Sequence, residues 1–98
     1  MKQREKIMEN VVRREERSDG ENGYVYELRV SESKNSAGAR LPLYSIYVTM
    51  TEANGKSTSA GVKEAFADAG KAILFYEKVI RGLATPIDLA YTLEDEMS

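Results

Sequence analysis

The stretch Asp68-Ala69-Gly70-Lys71-Ala72-Ile73-Leu74-Phe75-Tyr76-Glu77-Lys78-Val79-Ile80-Arg81-Gly82 sets what the rest of the chain must pack around. Its apolar residues recur at helical spacing. Phe66, Ala69, Ile73, Tyr76, Ile80 and Leu83 fall three and four apart and share one face. Ala72 and Val79 widen that face, and Lys71, Glu77, Lys78 and Arg81 lie mostly off it. Asp68 reads as the N-cap, because its carboxylate can accept a first-turn N–H. Gly82 reads as the stop, in the left-handed conformation that glycine adopts at little steric cost. Gly70 costs about 1 kcal/mol against Ala in a helix. Its expected role is to let a strand or a second helix approach closely.

Before this helix the pattern changes to alternation. Tyr24, Tyr26, Leu28 and Val30 alternate with Val25, Glu27 and Arg29, which is a strand with the first set facing the core. Leu43 to Met50 is a clearer strand, begun by Pro42. Tyr44, Ile46, Val48 and Met50 take one face, and Leu43, Ser45, Tyr47 and Thr49 the other. Asn54-Gly55 predicts a two-residue turn into a returning strand, Lys56 to about Val62. That turn would set Ser59 opposite Met50 and Gly61 opposite Val48, leaving room for the helix. Residues 31–40, rich in Ser, Lys, Asn, Ala and Gly, read as a flexible exposed loop.

The N-terminal part is more ambiguous. Ile7, Met8, Val11 and Val12 fit a helix, yet Ser18-Asp19-Gly20-Glu21-Asn22-Gly23 holds two hairpin signals, and a hairpin needs strands on both sides. A strand over residues 7–17 is preferred, with residues 1–6 frayed. The two turn sites leave its register open. After the central helix, Thr85, Pro86 and Asp88 form a helix start, with Thr85 as cap and Pro86 in the first helical position. The second helix should run to about Asp95, with Ile87, Leu89, Ala90, Tyr91, Leu93 and Met97 as its apolar positions. The fold class is therefore α+β: an antiparallel sheet of three or four strands, followed by two C-terminal helices packed on one face, in a single domain over residues 1–98.

Composition narrows the chemistry. The chain has no His and no Cys, the commonest transition-metal ligands and the source of imidazole and thiolate chemistry, so no cofactor or metal is expected. Fourteen Lys and Arg against sixteen Asp and Glu give a net charge of −2, which argues against nucleic acid as a partner. The opening residues Lys2, Arg4, Glu5 and Lys6 are no signal peptide, and no apolar run reaches the about 20 residues that span a bilayer. The expected location is the cytoplasm, away from membranes.

The order Tyr44-Ser45-Ile46-Tyr47-Val48, a turn, a short strand, Asp68, Ala72 through Ile80, then Thr85-Pro86 with Leu89 and Glu94-Asp95 resembles a family of small uncharacterised bacterial proteins, a domain of unknown function. The likeness covers roughly residues 43–97. It implies strands leading into two C-terminal helices and a bacterial cytoplasmic setting, and it brings no functional residues with it.

Other motifs reduce to structure. Gly55-Lys56-Ser57 echoes a phosphate-binding loop, but that loop needs glycine where Met50 stands. Glu94, Asp95 and Glu96 lack the spacing of a calcium loop. Arg13, Arg14 and Arg17 among carboxylates read as surface pairing. Of the six tyrosines, Tyr24, Tyr26 and Tyr44 belong to the core face, and Tyr47 alone points outward, beside Arg29 if the strands are neighbours. A lone tyrosine is no stacking platform for RNA. The expected function is a small non-enzymatic interaction or regulatory module that binds a protein partner or itself. Val25, Arg29, Leu43 and Tyr47 are its candidate surface, and a Tyr47→Ser change there should cost only about 0.5–1 kcal/mol. The alternative is a small ligand-binding protein or enzyme working through carboxylates and tyrosines, or a weak RNA binder.

Overall fold

Alternation along the strands sorts the sheet into two chemically distinct faces, and both helices take the apolar one. The structure is a computed structural model that describes residues 9–34, 37, 38 and 40–97. The chain runs β1 (Asn10–Asp19), β2 (Asn22–Lys34), β3 (Arg40–Thr51), β4 (Ser57–Phe66), α1 (Ala69–Arg81) and α2 (Pro86–Met97). The strands form one antiparallel sheet in sequence order, and the helices lie against β2, β3 and β4. Residues 7–17 are thus strand from Asn10 onward, while residues 1–8 lie outside the described set. β2 reaches Lys34 and β3 begins at Arg40, so the loop read over 31–40 shrinks to 35–39. Of that loop, residues 35, 36 and 39 lie outside the described residues.

The core forms where the two periodicities meet. Tyr26, Leu28, Ile46 and Val48 of the sheet are fully buried against Ala72, Phe75, Tyr76 and Val79 of α1. Each such side chain contributes roughly 1.5–3 kcal/mol by burial. The α1 face is rotated from the one expected. Phe75 is buried and Ile73 only half-buried, while Ala69 is exposed. In α2, Leu89 is buried, but Ile87 and Tyr91 are 72% and 68% exposed, so the core-facing stripe is narrower than the apolar sequence suggested. The side chains of Ala90 and Met97 lie outside the described residues.

Turn chemistry fixes the registers. The first hairpin turns on Gly20-Glu21, with Asp19 paired to Asn22. Gly20 alone has positive φ (62°), as expected for a type II′ turn, and Gly23 lies in the strand. The third hairpin corrects the sequence reading. Gly55 N–H donates to the Glu52 carbonyl and Glu52 N–H to the Lys56 carbonyl, both at 2.8 Å, with Gly55 at φ 90°. This is a three-residue loop with a glycine bulge, not a two-residue turn. The extra residue shifts the register by one. Thr58 faces Met50, Ala60 faces Val48, and Gly61 faces Tyr47 on the side away from the helices.

The helix caps also divide into kept and corrected. Lys71 N–H donates to Asp68 Oδ1 at 2.9 Å, as expected. Thr85 and Asp88 cap reciprocally: Asp88 N–H donates to Thr85 Oγ1 at 3.2 Å and Thr85 N–H to Asp88 Oδ2 at 3.3 Å. Gly70 admits no neighbouring element; a Cβ there would meet only the Asp68 carboxylate. At the end of α1, Gly82 is right-handed (φ −85°), and Leu83 takes the left-handed conformation (φ 49°). Leu83 N–H donates to the Ile80 carbonyl and Ala84 N–H to the Val79 carbonyl, both at 3.0 Å, which completes a Schellman motif around leucine.

Two buried hydroxyls join these layers. Tyr76 donates to the Tyr26 carbonyl at 3.1 Å, and Tyr26 donates to the Ala84 carbonyl at 3.0 Å. Burial pushes the Tyr26 hydroxyl up from 10.0 to about 12, and raises Tyr76 for the same first reason.

Two outcomes follow from this architecture. Gly82→Ala is expected to raise stability by about 0.4–1 kcal/mol in urea melts, because the position is right-handed and a Cβ there meets the Lys78 carbonyl only at 3.5 Å. A loss of more than about 1 kcal/mol would restore Gly82 as the obligatory left-handed stop. Stability should also fall in alkali. The unfolded chain gives up its tyrosine protons near pH 10.0, whereas folded Tyr26 holds its proton to about 12. The stabilisation is therefore intact below the unfolded value and is lost as pH rises through that window, at up to about 1.4 kcal/mol per pH unit for Tyr26. Melts at about pH 9 and about pH 11 measure it, and equal stability at both would refute it.

Candidate functional site

The sheet face that carries no helix is built by the alternate residues of all four strands. Val25, Glu27 and Arg29 of β2 stand beside Tyr47 and Thr49 of β3, with Arg14 of β1 at one side and Ser59 and Gly61 of β4 at the other. Together they line an open concavity of about 540 Å³. Its floor depends on the shifted register. Gly61 lies directly opposite Tyr47, and a Cβ at Gly61 would sit 2.4 Å from Tyr47 Cδ1, so the ring lies on the glycine backbone. Here the missing side chain is a steric requirement.

Arg29 covers the ring from the other direction, with its guanidinium carbon 4.3 Å from the ring centroid. Such a stack is worth about 0.5–1 kcal/mol where partly exposed. Two carboxylates hold the stack in place. Arg29 Nε donates to Glu27 Oε1 at 2.8 Å, a second Arg29 N–H reaches the same oxygen, and Arg29 Nη1 donates to Glu9 Oε1 at 3.2 Å. Tyr47 donates its hydroxyl to Glu9 Oε2 at 3.0 Å. The Glu27 contact, first of all, raises the Arg29 guanidinium above its ordinary value. Burial, followed by the Glu9 carboxylate, raises the Tyr47 hydroxyl. Arg14 pairs with Glu16 at 2.7 Å and with Glu27 at 3.5 Å. Toward β4 the face becomes a ladder of hydroxyls, with Thr49 to Ser59 and Thr51 to Ser57 each at 3.0 Å.

One end of this face is closed over. Three residues of β4, Lys63 to Ala65, stand opposite the single β3 residue Ser45. Glu64 takes a left-handed conformation (φ 51°) and donates its N–H to Ser45 Oγ at 2.8 Å. The serine hydroxyl thus accepts a bond that a regular ladder would have given to a backbone carbonyl. Ser45 is fully buried as a result.

Of the four residues the sequence nominated, Val25, Arg29 and Tyr47 come together in the concavity. Leu43 shares their face but pairs with Ser31 and does not line it. Glu27 was readable as the same-face neighbour of Arg29. Gly61 was misplaced by the register error, and Glu9 fell inside the strand preferred over residues 7–17, whose open register left its face undefined. Among the described residues, no group of three or more Asp or Glu is arranged to hold a metal ion, and no helix is long and apolar enough to cross a membrane. No family model, curated protein or solved structure matches the chain.

Tyr47 is half-buried by its stack, so the small cost expected for an open-face residue is too low. Tyr47→Ser should cost about 1–3 kcal/mol through lost burial, stacking and the Glu9 hydrogen bond. Gly61→Ala should cost a similar about 1–3 kcal/mol by overpacking. The two are coupled: without the ring, the alanine Cβ has space, so Gly61→Ala in a Tyr47→Ser background should be nearly neutral. A double-mutant cycle of denaturant melts tests this, and additive losses would refute the contact.

Proposed function

We propose that the chain is a small non-enzymatic protein-interaction module, and that the helix-free sheet face is its binding surface. The observation that carries this reading is the state of the charged groups there. Arg29 is shared between Glu9 and Glu27, and Arg14 between Glu16 and Glu27. The polar groups are committed to one another; they do not converge on a point where a reacting atom would sit. What they produce is a rigid Tyr–Arg platform with its charge balanced internally. Tyr and Arg in such an arrangement lose little conformational freedom on binding and favour interface cores. The hydroxyls of Thr49 and Ser59 add adaptable hydrogen bonding at its margin. The partner is another protein or a second copy of the chain.

The discriminating variant is Thr49→Arg, which places a bulky cation in the concavity without touching the Tyr47 stack. Sedimentation of the wild type over a range of concentrations reads self-association. Tagged copies recovered from native cells, with the recovered protein then purified and titrated, read a partner. Either complex should be weakened at least about tenfold by Thr49→Arg, while the domain stays folded and loses at most about 1 kcal/mol with the Thr49–Ser59 hydrogen bond. A complex indifferent to Thr49→Arg would place the interface elsewhere, and a wild type that neither self-associates nor recovers a titratable partner would overturn the reading.

A further inference from the structure

A second surface lies on the opposite side of the sheet, where α1 meets the connection from β4. A groove of about 720 Å³ runs there. Its floor is formed by Phe66 and Phe75, a tilted aromatic pair with centroids 5.3 Å apart. Leu74 stands on its wall and is 67% exposed, which is unusual for a leucine flanking buried aromatics. Lys71, Leu74, Lys78 and Arg81 follow one another at helical spacing, so the cations bracket the apolar wall along its length. The one carboxylate lining the groove, Asp68, already accepts the Lys71 N–H as the helix cap. Lys71 and Arg81 make no ion pair among the described residues. The groove is therefore locally cationic in a chain whose net charge is −2. This opposes the sheet face, where every arginine is matched.

We propose that this groove binds an acidic peptide segment that carries apolar side chains. The apolar wall and aromatic floor accept one or two anchors, and Lys71 and Arg81 meet the carboxylates around them. Such a division between apolar pockets and charged rim is how grooves read amphipathic segments. The size suits a few side chains, not a flat lipid surface.

The test uses the full chain and a fluorescein-labelled peptide of alternating Glu and Leu, followed by anisotropy. Controls are the same peptide with Lys for Glu, the same peptide with Ser for Leu, and vesicles of phosphatidylserine in phosphatidylcholine. The Glu/Leu peptide should bind, more weakly as salt rises, and in preference to both peptide controls. Lys71→Glu with Arg81→Glu, and separately Leu74→Ser, should each weaken binding about tenfold while the melt is kept. Should the double charge reversal fail to fold, Lys71→Gln with Arg81→Gln reads the same loss at smaller size. Thr49→Arg should leave this binding untouched, which separates the groove from the sheet face. Equal binding of the Lys/Leu or Glu/Ser peptide, indifference to the groove variants, sensitivity to Thr49→Arg, or vesicle binding without peptide binding would each overturn the proposal.

Discussion

A tyrosine hydroxyl taken out of water must find an acceptor, and two of them fix how the helices sit on this sheet. Apolar burial alone would let α1 slide along β2, since any aromatic fills similar volume. Tyr76 removes that freedom by donating to the Tyr26 carbonyl in the middle of the sheet. Tyr26 in turn donates to the Ala84 carbonyl, in the turn between the helices. An unpaired hydroxyl at either place would cost about 1–3 kcal/mol, so sheet, first helix and inter-helix turn are held in one relative position. The turn must then present the Ala84 carbonyl inward, and Leu83 takes a left-handed conformation there.

That requirement explains one failure of sequence reasoning. Glycine is the cheapest left-handed residue, so Gly82 looked like the stop. The structure displaces the left-handed residue by one, because Leu83 also packs against the core, where glycine would offer no side chain. The strands of β2 and β3 were legible because each carries a full alternating run, and Asp68 and Thr85 because capping is local chemistry. The third hairpin was misread for a different reason. Asn-Gly occurs in both two-residue and three-residue loops, and the flanking strand, Ser-Thr-Ser-Ala-Gly, has no apolar alternation to choose between them.

The candidate site inherited both the success and the error. Val25, Arg29 and Tyr47 could be placed together from alternation in β2 and β3 alone. The two features that make Tyr47 a platform could not. Gly61 needed the correct register of the third hairpin, and Glu9 needed that of the first, including its shift between Val11 and Arg13. Ser45 shows the same limit. Its place on the outward face was readable, but its burial depends on a three-residue excursion of β4 that no local pattern signals.

Strain and charge are both distributed by these constraints. Glu64 and Leu83 are the non-glycine residues described with positive φ; Glu64 lies within β4, ahead of α1, and Leu83 lies just after the helix. Such conformations cost on the order of 1 kcal/mol apiece, and they persist only where the surroundings over-determine them. Here the Ser45 hydroxyl and the Schellman hydrogen bonds do so. The helix is thereby set at an orientation that buries Phe75 and leaves Leu74 in solvent beside Lys71, Lys78 and Arg81. On the far side of the sheet, Arg14 and Arg29 are paired with carboxylates of their own strands, while on the helix side Glu15 pairs with Arg13 and Arg17, so charges of alternating sign guard the β1 edge. The two surfaces therefore differ in kind: the helix-free sheet face is pre-paired, and the groove beside α1 sets Lys71 and Arg81 around an apolar wall.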